Sequence, residues 1–156
     1  MEILFRGKHK NPYGDKWVQG YYALEDGEHV IIVPHSTSYE QALKENRPIP
    51  PISVKHTIDY NTLGQYTGLK DKNGNKIFAG DIVLYEDWEM ATENGSGDSF
   101  INKGIVIYNE HNCNFDVTEK ITVDVFDVLY YENDTLEVIG NIYDNPELLE
   151  GDWIWI

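Results

Sequence analysis

Pairs of carboxylates are the side chains in this 156-residue chain that are best suited to chemistry. Acidic residues stand together at Glu86 and Asp87, and again at Asp124 and Asp127. Two carboxylates with separated pKa values can act as general acid and general base, and carboxylate oxygens also bind Mg²⁺. Asp124 and Asp127 would point to opposite faces of a regular strand, because they are three residues apart. Because clustered carboxylates can do this chemistry, a metal-dependent hydrolase or nuclease is an alternative function. Nothing in the sequence fixes the geometry of these acids, so no catalytic residue is predicted.

The segment around Glu86 and Asp87 is a candidate binding surface. Residues 86–99 contain five acidic residues, no basic residue and an Asn-Gly-Ser-Gly core that is typical of a flexible loop. Loops on a rigid scaffold often carry binding surfaces, and apolar side chains among carboxylates suit a basic, partly apolar partner. The simpler alternative is that the tryptophan and the methionine pack beneath a solvated loop. The predicted partner-binding residues are Glu86, Asp87, Trp88, Glu89, Met90 and Glu93.

The remaining reactive side chains form no recognised catalytic or metal-binding motif. His111, Cys113 and Asp116 lie close together, but one cysteine beside one histidine falls short of a structural zinc set, and a hairpin turn explains them. The other histidines are scattered, and neither a Gly-x-Ser-x-Gly nor a phosphate-binding glycine motif is found in the sequence. We therefore predict no metal and no cofactor. The scattered histidines are His9, His29, His35 and His56.

Charge is distributed unevenly along the chain. Residues 1–76 hold 10 of the 12 Lys and Arg residues with 9 acids, whereas residues 77–156 hold 2 bases and 18 acids. Nucleic-acid binding relies on cations that neutralise phosphates, so direct binding of nucleic acid by the acidic half is not expected. The acidic half either attracts a basic protein surface, imitates the charge of a nucleic acid, or only keeps the protein in solution.

Several features predict a cytoplasmic protein. The chain has a single cysteine, which fits a reducing compartment. Its first residues lack the apolar run of a signal peptide, and no apolar segment reaches the roughly 18 residues of a membrane span.

The pattern of secondary structure is mainly β. Two turns with glycine are predicted to close hairpins, Glu25-Asp26-Gly27-Glu28 and Asp71-Lys72-Asn73-Gly74. Two short helices are predicted, one at residues 38–43 and one at 145–149, where Asn145 stands at the cap and Pro146 at the first helical position. Strands are predicted at residues 2–8, 16–24, 29–34, 53–58, 76–84, 104–108, 121–131 and 136–142.

Two β subdomains are expected. A proline-rich connector at residues 47–52 leads us to place the boundary near it, with residues 1–58 as an N-terminal β subdomain and 59–156 as a C-terminal one. In the second subdomain, a strand, a long loop and another strand at residues 80–85, 86–102 and 103–108 are similar to the start of an SH3-type barrel.

The chain end is unusually apolar. Residues 151–156 include two tryptophans and two isoleucines, which would form a sticky patch if exposed. They either return to the core as a last strand or dock on a neighbouring subunit, so a homo-oligomer is expected.

Several sequence motifs remain to be explained, at residues 3–8, 64–69, 73–74, Ile77, 80–83, 138–143 and 145–149. These motifs resemble those of the YopX family, small proteins encoded by phages and by prophages of low-GC Gram-positive bacteria. The resemblance implies an SH3-type barrel in the C-terminal half, and it implies no particular reaction, because the family has no established biochemical activity. Together with the charge pattern, it leads us to predict a non-enzymatic accessory protein that acts by contact with a basic host or phage protein in the bacterial host cytoplasm.

Overall fold

A computed structural model shows a mainly β protein, as predicted. It describes residues 3–10, 16–34, 44, 46, 53–89, 98–111, 113–118 and 135–150, and for 87–89 and 98–100 it describes the backbone. The chain forms two compact units, Met1–Gln65 and Tyr66–Ile156, called here the N-terminal and C-terminal units. No helix in the described part of the chain is long and apolar enough to cross a membrane.

The N-terminal unit is an antiparallel arrangement in which the strand pairings form a ring. Strand β1 pairs with β2, β2 with β3 and β3 with β4, and β1 also pairs with the later part of β4. Apolar β-branched residues supply the buried positions, among them Val30, Ile31 and Ile58. The strands of this unit are β1 (Phe5–His9), β2 (Trp17–Glu25), β3 (Glu28–Pro34) and the first part of β4 (Ser53–Lys70).

The predicted turn between β2 and β3 is confirmed. Glu25 pairs with Glu28, so the turn consists of two residues, and both have positive φ angles, 51° at Asp26 and 83° at Gly27. Such a turn matches the right-handed twist of the flanking strands, and it fixes the register of the whole hairpin.

The C-terminal unit is built on a four-stranded antiparallel sheet in the order β8-β7-β6-β9. Its core consists of Ile77, Val83, Tyr85, Val106, Val117 and Leu136. The last part of β4 pairs with β5 as predicted, across the turn at Asp71–Gly74. The more specific assignment of this unit to the SH3-type barrels stays a prediction. The further strands are β5 (Lys76–Phe78), β6 (Asp81–Glu89), β7 (Asp98–Asn109), β8 (Asn114–Thr118) and β9 (Glu137–Asn141).

Two of the predicted elements need correction. The single strand predicted at residues 76–84 is two strands, because Gly80, with a φ of 86°, turns the chain between β5 and β6. Strand β8 was missed, since its five residues follow directly on the turn at Cys113. The short C-terminal helix is confirmed as one turn of 3₁₀ helix, Pro146–Leu149, with Asn145 at the cap position, although the Asn145 side chain makes no capping hydrogen bond.

Some predictions fall outside the described residues. These are the helix predicted at 38–43, the strand predicted at 121–131 and the apolar terminus at 151–156. The predicted boundary between residues 58 and 59 and the division between the two units both lie within β4, and the assignment of separate domains stays a prediction.

Candidate functional site

The acidic candidate segment begins in a long hairpin and not in a loop, which corrects the sequence-based interpretation. Glu86, Asp87, Trp88 and Glu89 continue strand β6, and they lie opposite Ile101, Phe100, Ser99 and Asp98 of β7. Acidic residues and glycine suggested a loop because they are depleted in strands, but pairing with a neighbouring strand overrides this weak preference. Met90 and Glu93 lie outside the described residues. We call residues 86–101 the acidic hairpin after its described parts, 86–89 and 98–101, which are paired strands; the segment contains five acids and no base.

Glu86 lies at the base of the acidic hairpin, and it shares a face of the sheet with Ile101 and not with Tyr85. Tyr85, the residue before it, is buried, whereas Ile101, which pairs with Glu86, is 66% exposed. The backbone N–H of Glu86 donates a hydrogen bond to Thr135 Oγ1 at 3.4 Å, just before the buried Leu136. The base of the acidic hairpin is therefore anchored to the folded unit at a defined place.

Other carboxylates of the C-terminal unit are buried and hold the backbone. Asp81 is 1% exposed, and its Oδ2 accepts a hydrogen bond of 2.7 Å from the backbone N–H of Phe78. Asp116 is equally buried, and its Oδ1 accepts from the N–H of Val117. These two acids lie inside the unit, so they add little to a surface that a partner could touch.

Asp71 is a third buried acid, and it accepts four hydrogen bonds. Its Oδ1 accepts hydrogen bonds from the N–H groups of Asn73 and Asn75 at 2.9 and 2.8 Å. Its Oδ2 accepts from Asn75 Nδ2 and from the N–H of Val138, both at 3.1 Å. Burial raises the pKa of Asp71, but the hydrogen bonds from the Asn75 side chain and from the backbone of Asn75, Val138 and Asn73 together outweigh it, so the pKa lies below its ordinary value.

The residues considered for metal binding do not come together in the described part of the chain. There, no three side chains of His, Cys, Asp and Glu are grouped so that they could hold a metal ion. His111 and the exposed Cys113 lie in the turn between β7 and β8, where Cys113 has a φ of 53°. Asp124 and Asp127 lie outside the described residues.

Comparison with known proteins identifies the family of the chain. Residues 17–150 match the family model described as YopX protein. The chain belongs to the YopX family. No curated protein shows significant sequence similarity to it. Among solved structures, the crystal structure of protein EF1440 from Enterococcus faecalis is similar, with 25% sequence identity over 96% of this chain and 99% of that chain and a TM-score of 0.44.

The motifs that carry the YopX resemblance have structural roles in this chain. Gly80 and Asp81 form the turn into β6, and Gly74 has the positive φ of 84° that the turn after Asp71 requires. Near the end of the described chain, Asn141 Oδ1 accepts hydrogen bonds from the N–H groups of Tyr143 and Asp144. The YopX motifs therefore explain how the C-terminal unit folds, and they do not distinguish between functions.

Sequence reasoning missed one surface of this YopX protein, formed by Tyr22, Leu24, His29 and Tyr60 in the N-terminal unit. We call it the exposed aromatic surface. The ring centroids of His29 and Tyr60 are 4.2 Å apart and those of Tyr22 and His29 are 5.9 Å apart, and both pairs are stacked. The two-residue turn could have placed Leu24 opposite His29, but no sequence signal placed Tyr60 beside them.

Proposed function

We propose that this YopX protein is a non-enzymatic binding module that contacts a basic protein through its acidic hairpin. The observation that supports the proposal most is the charge of the C-terminal unit, residues 66–156, which has 19 acidic and 5 basic residues. Five of these acids are in the acidic hairpin, which has no base to neutralise them.

The hairpin geometry favours such a contact. Glu89 lies directly opposite Asp98 in the register of β6 with β7, and Asp87 is two positions from Glu89, so these three acids share one face of the paired strands and Glu86 belongs to the other. A paired backbone loses less entropy on binding than a mobile segment. A field of one sign also steers an oppositely charged partner and raises its association rate.

The proposed setting is a bacterial cytoplasm, where the protein acts as a phage or prophage accessory factor on a basic host or phage protein. The match of residues 17–150 to the YopX family supports this setting only through the resemblance drawn from the sequence motifs, which implies a phage or prophage protein.

The experiment is affinity capture from a bacterial lysate with the tagged protein and two variants. The hairpin variant carries Glu86→Gln, Glu89→Gln and Glu93→Gln. The control variant carries Glu110→Gln, Glu147→Gln and Glu150→Gln, which removes the same number of charges from exposed positions of the same unit. Captured proteins are quantified by mass spectrometry.

The proposal predicts a basic protein that the parent and the control variant recover and the hairpin variant loses. Equal recovery by the two variants would show that the contact does not use the acidic hairpin. If the parent enriches no protein over the bare tag, the proposal of a binding module is wrong.

A further inference from the structure

The exposed aromatic surface of the N-terminal unit is preorganised. Tyr22 hydroxyl and His29 Nδ1 are joined by a hydrogen bond of 2.7 Å, and the Phe5 ring packs against Tyr22 at 5.5 Å between centroids. The His29 ring thus contacts two tyrosines: it is hydrogen-bonded to Tyr22 and stacked with Tyr60. A ring fixed in this way can stack a ligand without first losing its own rotational freedom.

This surface is open to solvent. Tyr60 is 55% exposed and Leu24 is 61% exposed. Leu24 lies directly opposite His29 in the pairing of β2 with β3, so an exposed aliphatic side chain adjoins the stacked rings. An exposed apolar and aromatic patch of this kind is where a soluble protein commonly binds something else.

The charges around the exposed aromatic surface select the kind of ligand. The hairpin tip next to Leu24 and His29 carries Glu25, Asp26 and Glu28, and Asp59 directly precedes Tyr60. Because side chains alternate along paired strands, Glu25 and Glu28 belong to the face opposite Leu24 and His29, so they act on the rings through their field and not by direct contact. Lys55 forms an ion pair with Glu25 and Lys8 lies opposite Asp59, so four acids and two bases surround the rings. Phosphate groups would be repelled here, so stacking of nucleic-acid bases is disfavoured and a cation is favoured.

We propose that the exposed aromatic surface binds arginine side chains of a protein partner. A guanidinium group is planar, stacks on a tyrosine ring, and is attracted by the surrounding negative charge. Its aliphatic stem would lie along Leu24. The inference does not rest on the acidic hairpin, which belongs to the other unit.

The test is a titration of the ¹⁵N-labelled full chain with a short peptide of alternating arginine and glycine, followed by NMR. A lysine–glycine peptide of the same charge serves as the reference ligand. The proposal predicts saturable shifts at the amides of residues 22, 24, 29 and 60, with tighter binding of the arginine peptide. Cation–π contacts at exposed sites are worth about 0.5–1 kcal/mol, so Tyr60→Ala should weaken binding roughly two- to fivefold, and Tyr60→Phe should preserve it.

Tyr108→Ala is the matched control, because Tyr108 is also an exposed tyrosine that packs on a neighbouring ring, that of Phe115 in the C-terminal unit. It should leave the affinity for the arginine peptide unchanged. Shifts confined to residues 66–156, or equal affinity of the parent and Tyr60→Ala, would overturn the proposal. Loss of binding in the hairpin variant without loss in Tyr60→Ala would also overturn it, while supporting the acidic hairpin as the site for basic ligands.

Discussion

Asp71 shows how one residue connects distant parts of the C-terminal unit. Its carboxylate receives backbone N–H groups from its own turn and from Val138, which is 67 positions further along the chain. The Lys72 N–H donates to the carbonyl of Leu136 beside it, so the turn and the start of β9 are held together. Hydrogen bonds to a buried charge are among the stronger ones in proteins.

Asp71→Asn should therefore destabilise the protein by about 1.5–3 kcal/mol at neutral pH, because the substitution removes the charge and one acceptor while keeping the shape. Lys72→Ala is the control. It removes the ion pair of Lys72 with Glu137, which is partly exposed and should cost less than about 1 kcal/mol. Urea denaturation followed by tryptophan fluorescence gives both free energies.

The low pKa of Asp71 makes this difference depend on pH. A carboxylate whose pKa is lower in the folded state stabilises the fold above the pKa of the unfolded chain, about 3.9, and the stabilisation is lost as pH falls through the folded pKa. The difference in unfolding free energy between the parent and Asp71→Asn should therefore narrow in acid. A gap for Asp71→Asn that is constant from neutral pH to pH of about 2 would contradict the account.

At the scale of elements, the sheet of the C-terminal unit depends on close packing of β7 against β8. A Cβ atom added at Gly104 would lie 2.2 Å from Val117 Cγ1, a distance that real contacts do not reach. Val117 itself belongs to the core of the unit. Gly104 is thus required by the side chain that packs over it, and its own backbone needs no special conformation.

Gly104→Ala should cost about 1–3 kcal/mol through overpacking. Val117→Ala alone should cost roughly 2 kcal/mol by leaving a cavity. Because the smaller side chain makes room for the new methyl group, the double variant should be more stable than the sum of the two losses by about 1 kcal/mol. Additive losses in the denaturation curves would show that the two residues do not compete for the same space.

Local signals predicted those elements whose partners lie nearby in the sequence. The turn at Asp26-Gly27 specified its hairpin, because two residues with positive φ leave only one register. The length of β4 and the extension of β6 to Glu89 could not be predicted, because both depend on strands that pair from elsewhere in the chain. The acidic residues of the candidate site were recognised because their residue type alone marks them. Tyr60 was not recognised, because its position beside His29 depends on how β4 pairs with other strands.

At the scale of the whole molecule, the acidic charge is concentrated in one unit. Residues 1–65 have 7 basic and 8 acidic residues and are nearly neutral, in contrast to residues 66–156. Both proposed surfaces favour cationic partners, one through net charge and the other through stacked rings beside carboxylates. Binding at the acidic hairpin should be the more sensitive to salt, because stacking and apolar contacts are screened less.

The protein should also self-associate. We base this prediction on the apolar residues 151–156, which lie outside the described residues, and on the exposed Ile101 of β7. Light scattering coupled to size-exclusion chromatography at micromolar concentration should give a mass of at least two chains of 18.0 kDa. A monomer mass would disprove the prediction of a homo-oligomer, and a monomeric truncation at residue 150 would assign the contact to the terminus.

The most direct test of the central claim is the amount of basic protein that the parent recovers from lysate, relative to the hairpin variant, as salt is raised. The screening length falls from about 10 Å at 0.1 M salt to about 3 Å at 1 M. If the acidic hairpin guides the contact, the parent should recover more at low salt, and the advantage should disappear at high salt. An equal recovery by the parent and the hairpin variant at low salt would contradict the claim.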